Sequence, residues 1–131
     1  MQPAARNGRR FFFVERHEAH VTQLAAMLLT FVLEASAAAA LALPFRLSPW
    51  RCALAAVAAS AVTHPILWAV FYDVQAMLGS ITTPTLEFAI IAAESIAYRL
   101  LATSRWVEAL LLSLLANAVS WGAGEAIYAL T

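Results

Sequence analysis

Four long apolar stretches organise this chain, and each carries one ionisable or strongly polar residue near its middle: Glu34, His64, Glu94 and Asn117. The stretches are predicted as helices running from Val21 to Leu43, Trp50 to Tyr72, Pro84 to Leu101, and Arg105 or Trp106 to Tyr128. Each approaches or exceeds the ~20 residues a helix needs to cross ~30 Å of hydrocarbon. The pattern therefore predicts an all-α integral membrane protein, a four-helix bundle of four spans built from two helix hairpins. Pro44 stops the first helix, Pro49 starts the second where a missing N–H costs nothing, and Thr103-Ser104 is a tight turn before the fourth. Asp73 to Thr83, containing Gly79 and Ser80, reads as a loop, and Pro65 is expected to kink the second helix beside His64, freeing the carbonyl of Ala61.

Within each span the polar positions fall on one face. Gln23, Met27, Thr30 and Glu34 follow one another at steps of 4, 3 and 4, and Ser60, His64, Trp68 and Tyr72 at steps of 4. Glu87, Glu94 and Tyr98 line the third helix, and Ser113, Asn117, Ser120 and Gly124 the fourth. With lipid outside, these faces turn toward one another or toward a second subunit, so that Glu34, His64, Glu94 and Asn117 meet near the midplane. A charge at bilayer depth costs at least ~2.5–3.5 kcal/mol and is normally partnered in an interior or a wet cavity.

Composition agrees: 63% of residues are hydrophobic, 12% are charged, and mean hydropathy is +0.75. Trp50, Trp68, Tyr72, Tyr98, Trp106 and Tyr128 lie close to the expected span ends, as an aromatic belt would. Four spans leave no room for a separate soluble domain in residues 21–131. Residues 1–20 form a polar tail rich in Arg and interrupted by Phe11, Phe12 and Phe13, read as an interfacial segment rather than a cleaved export signal because the apolar stretch begins too late. The single Cys52 excludes a disulfide framework and is read as packing.

Net charge is zero, with eight Arg, no Lys and eight acidic residues, so no basic stripe for nucleic acid exists. Asp73, Glu87 and Glu125 fall at one end of the bundle, an acidic entrance suited to cations, while Arg46, Arg51, Arg99 and Arg105 fall at the other. Arg99 is expected to pair with Glu108 across the short turn. The basic count ties at four Arg on each side, and the Arg-bearing hairpins are placed on the cytoplasmic side.

Two carboxyls and an imidazole in a dry interior suit a proton relay. With the Asn117 carbonyl they could instead hold a hard or borderline cation, so metal ligation stays open. They could also serve as a general base and its partner in an intramembrane enzyme, or tie helices together in an accessory subunit that binds another membrane protein. Proton-linked or cation transport is the leading expectation, catalysis the least favoured, and no cofactor is expected. His17-Glu18-Ala19-His20 has its His residues three apart, not the four a zinc-protease helix requires.

The two halves are alike: Ser60-Ala61-Val62-Thr63-His64 aligns with Asn117-Ala118-Val119-Ser120-Trp121, and each preceding helix has a central Glu, which reads as a parallel repeat of hairpins. Thr63-His64-Pro65-Ile66-Leu67-Trp68, Glu94 through Tyr98-Arg99, and Asn117-Ala118-Val119-Ser120 resemble a pattern found in small four-span bacterial membrane proteins without assigned activity. That resemblance implies a multi-pass protein of the bacterial inner membrane, embedded in the lipid bilayer, and says nothing of substrate. Four short helices enclose little space, so a homo-oligomer or a membrane-protein partner is expected.

Overall fold

The computed structural model describes the backbone of residues 8–128 and the side chains from Leu24 to Gly124 together with Ala126. Every described element is helical. The order is α1 (Gly8–Ala42), α2 (Pro49–Leu78), a three-residue 3₁₀ turn (Gly79–Ile81), α3 (Thr82–Leu101) and α4 (Trp106–Tyr128). Each helix packs on its neighbour in sequence, and α4 closes back onto α1.

Apolar bulk points outward and polarity points inward. Leu28, Val32, Leu54, Val62, Ile66, Phe88, Leu100, Val107 and Trp121 are exposed, whereas Glu34, Ser60, Glu94, Ser95, Ser113 and Asn117 are buried. Water would reject so broad an apolar surface, and lipid would accept it. The stretches Leu24–Ala42, Pro49–Leu101, which includes both α2 and α3, and Trp106–Gly124 are long and apolar enough to cross a membrane.

Small residues set how close the helices come. Counting by helical turns from Ala38 gives one buried layer of Ala38, Ala56, Tyr98 and Ser113, and the next turn gives Ala42, Cys52, Ala102 and Ala109. Ala and Cys at these positions let backbones approach without large side chains between them, while Tyr98 and Leu112 fill the remaining space. Cys52 is a free thiol buried in this layer, consistent with a packing role. In the opposite direction burial falls away: Thr30 and His64 are half-buried and Trp121 is exposed. Burial by small residues is thus greatest toward the Arg-bearing connections and falls off toward the other end of the helices.

The connections depart from expectation at several points. Asp73 to Leu78 is not loop but the last turns of α2, because Val74, Gln75, Ala76, Met77 and Leu78 contain no breaker. Gly79, at φ 59, ends the helix, and the buried Thr82 donates its hydroxyl to the Gly79 carbonyl at 2.8 Å as α3 begins. α2 continues through Pro65. α1 begins at Gly8, well before Val21. The Phe cluster and the His17–His20 pair lie outside the described side chains.

At the other end α1 stops in a Schellman turn, with Leu47 N–H donating to the Ala42 carbonyl at 2.9 Å and Arg46 N–H to the Leu43 carbonyl at 3.1 Å. Leu47 packs on the core cluster as the accompanying apolar contact. Arg46 occupies the left-handed position of this turn at φ 56, the one non-glycine residue with positive φ among those described. Arg51 Nε donates to the Leu101 carbonyl at 2.7 Å and so caps α3. Glu108 pairs not with Arg99 but with Arg105 at 3.2 Å, and accepts the Thr103 hydroxyl; the Arg99 guanidinium lies 5.7 Å from the Trp106 ring centroid instead. Local sequence separation decides this, since Arg105 is three residues from Glu108 on the same helix start.

A left-handed L-residue costs ~1–2 kcal/mol that glycine avoids, partly offset by glycine's greater unfolded-state entropy. Arg46→Gly is therefore expected to stabilise the detergent-solubilised protein by ~0.5–1 kcal/mol in thermal unfolding followed by circular dichroism. Arg46→Ala, which removes the same charge, should not.

Candidate functional site

One turn from the Ala38–Ala56–Tyr98–Ser113 layer, the helices contribute Glu34, Ser60, Glu94 and Asn117. The antiparallel register brings these to one level, and hydrogen bonds join them. Ser60 Oγ lies against Glu34 Oε2 and 3.5 Å from Glu94 Oε1. Asn117 Nδ2 donates to Glu94 Oε2 at 2.5 Å and to the Ser113 carbonyl at 2.9 Å. Thr63 Oγ1 donates to Glu94 Oε1 at 2.9 Å, and Ser113 Oγ ties α4 to α3 through the Ile91 carbonyl at 3.0 Å. Exposures of 2% for Glu34, 1% for Glu94 and 6% for Asn117 put the network out of contact with the apolar surroundings.

The two carboxyl groups are treated unequally. Glu94 receives a donor on each oxygen, Thr63 on one and Asn117 on the other, enough to support an ionised carboxylate. Glu34 has the Ser60 hydroxyl against it, with the more distant Ser120 hydroxyl as a weaker partner across the cavity. Ser60 owns one proton and also lies 2.9 Å from the Ala56 carbonyl one turn back. When that proton goes to Ala56, the Glu34–Ser60 contact closes with a proton carried on the Glu34 carboxyl. Ser60 can thus stand between two carboxyl groups as donor to either or as acceptor from Glu34.

His64 stands beside this layer rather than in it. Among the described residues its Nε2 is buried without a hydrogen-bond partner, and its ring meets Trp68 edge-on at 6.0 Å. It lines a cavity of about 220 Å³ with Thr30, Glu34, Glu87, Asn117 and Ser120, which gives Glu34 a polar space on the side where burial falls off. On the other side of the network the Ala38–Ala56–Tyr98–Ser113 layer is buried throughout. The polar cavity lies on the side of the carboxyl pair away from that layer.

Of the residues singled out in the sequence, Glu34, Glu94 and Asn117 come together, and His64 joins them at the cavity wall. Glu87, one of the three entrance candidates, lines the cavity; Asp73 is exposed on the last turns of α2, away from it; the Glu125 side chain is not described. Ser60 was legible as a stripe member but not as the bridge, and Thr63 was missed as a ligand to Glu94. Its signal was the three-residue step from Ser60, which keeps it on the same helix face. Among the described residues no group of three or more His, Cys, Asp and Glu side chains is arranged to hold a metal ion. Comparison with family models, curated proteins and solved structures finds no match.

The network orders its members by what each removal strands. Ser60→Ala withdraws the hydroxyl that lies against Glu34, whereas Thr63→Ala leaves Glu94 its Asn117 donor. In chemical denaturation in detergent, Ser60→Ala is expected to cost ~1–2 kcal/mol and Thr63→Ala ~0.6 kcal/mol or less. The reverse order would contradict the bridging role.

Proposed function

We propose that this chain is a four-span, multi-pass protein of a bacterial inner membrane that moves protons or small cations, with Glu34 and Glu94 as the charge-exchanging pair. The observation that carries the reading is the pair itself: two buried carboxyls on α1 and α3, joined through one hydroxyl, with a polar cavity beside them. Helix glue needs hydrogen bonds but not two carboxyls, and amide or hydroxyl side chains hold helices at lower desolvation cost. A cavity beside the pair supplies the path that a purely structural network does not need.

The same geometry supports the parallel repeat. Glu34 and Glu94 stand on the first helix of each hairpin, Ser60 and Asn117 on the second, and all four share one level. A duplicated hairpin would place its functional residues in this way. In this reading a dimer or a larger homo-oligomer, or a membrane-protein partner, covers part of the apolar outer surface and extends the narrow path through the bilayer.

The accessory-subunit reading retains one specific support, the fact that the network touches all four helices and so fixes their packing. The enzyme reading loses ground on His64, which makes no hydrogen bond to Glu34 or Glu94 among the described residues and so is not held as an acid–base partner.

Glu94→Gln preserves shape and hydrogen-bonding capacity while removing the exchangeable charge. In liposomes carrying a pH gradient, with flux read by an entrapped pH dye, Glu94→Gln is expected to abolish flux and Glu34→Gln to abolish or strongly reduce it, with insertion and helicity retained. Glu87→Gln should be milder. Unchanged flux in folded Glu94→Gln would remove the ion-linked reading and leave the accessory subunit in front.

A further inference from the structure

On the outer face of α3 and α4 lies an apolar groove of about 510 Å³ whose walls include Ile91, Leu114 and Ala118. Its lining also includes Glu87, Asn117 and Trp121, and these same three residues line the polar cavity that reaches Glu34. Groove and cavity are therefore adjacent at these three residues, with apolar surface on the groove side and hydrogen-bonding groups on the cavity side. Sites for small molecules have this composition, a largely apolar enclosure of ~300–1,000 Å³ with a few converging polar groups.

The charge at the junction selects the headgroup. Glu87 is half-buried, and no hydrogen-bond donor or ion-pair partner approaches its carboxylate among the described residues. An unpaired carboxylate beside apolar surface at membrane depth is costly, and a cation arriving from outside the protein would remove that cost. The cavity adds Glu34, the hydroxyls of Thr30 and Ser120, and the Trp121 ring, while no Arg among the described residues lines it. Carboxylates and an aromatic face are the partners an ammonium group seeks.

We propose that groove and cavity form a single binding site for an amphipathic amine, its alkyl or aromatic tail lying between α3 and α4 and its ammonium group between Glu87 and Glu34. The ligand reaches the site sideways from the bilayer. This inference rests on the ion-linked reading of the carboxyl pair and names its substrate class: an organic cation whose binding places a second positive charge beside groups that exchange protons.

Trp121 sits at the junction and reports on both compartments. The full chain with Trp50, Trp68 and Trp106 replaced by Phe leaves Trp121 as the one indole, and circular dichroism checks its helicity. Titrated in detergent with a long-chain ω-bromoalkylamine, this protein should show saturable quenching of Trp121, at about tenfold lower concentration than the matching bromoalkanol and with the bromoalkanoic acid weaker still. Glu87→Gln should bring amine and alcohol close together without altering the alcohol titration, and Ala118→Phe, which fills the groove, should weaken both. Equal quenching by all three headgroups, preference for the acid, or an amine preference that survives Glu87→Gln would each overturn the proposal. Because quenching reads binding alone, its loss with proton flux intact would reject the amine site and spare the ion-linked reading. Saturable amine binding without any flux would do the opposite.

Discussion

A single hydroxyl between two carboxyl groups is the constraint on which the rest of this structure depends. Glu34 and Glu94 could not be carried into an apolar bundle as two isolated charges, and Ser60 lets them be neighbours by serving as donor or acceptor as the proton inventory requires. Thr63 and Asn117 complete the coordination of Glu94 from α2 and α4, so the network joins all four helices at one level. Packing follows from this. The helices must come close enough for short side chains to meet, and the Ala and Cys positions in the adjoining layers make that approach possible.

The packing of the helices differs from one end to the other. Toward the Arg-bearing connections, successive layers of Ala38, Ala56, Tyr98, Ala42, Cys52, Ala102 and Ala109 are buried. Toward the acidic end, the same helix faces carry Thr30, His64, Ser120 and Glu87 around a cavity. Small-residue layers thus pack one end, and at the other a cavity lies beside the carboxyl pair and shares Glu87, Asn117 and Trp121 with the outer groove.

Much of this was legible in the sequence because lipid and a polar interior leave few choices. Period-four stripes on Ala-rich helices, each with one central polar residue, are enough to point Glu34, Glu94 and Asn117 inward. The helix ends around Pro44, Pro49 and Thr103 were also readable from turn chemistry. The loop assigned to Asp73–Thr83 was not, because one charged residue was taken as the end of a helix that continues until Gly79 supplies a true break. Thr63 was hidden by its neighbours: beside His64 and Pro65 it looked incidental, and its role emerges only when α3 is placed against α2. The groove between α3 and α4 had no sequence signal, since its Ile91, Leu114 and Ala118 do not differ from ordinary lipid-facing residues. His64 kept its face but not its expected partner, because a helix-face position fixes direction and not reach.

The account's central claim is that Glu34 and Glu94, coupled through Ser60, exchange protons within the folded protein. Infrared spectroscopy of the protein in lipid, following the carbonyl stretch of protonated carboxyl groups across a pH titration, tests it most directly. The account predicts a reversible, pH-dependent protonated-carboxyl band that is diminished in Glu34→Gln and in Glu94→Gln and moves in frequency in Ser60→Ala. A spectrum without such a band, or a band unaffected by all three substitutions, would contradict it.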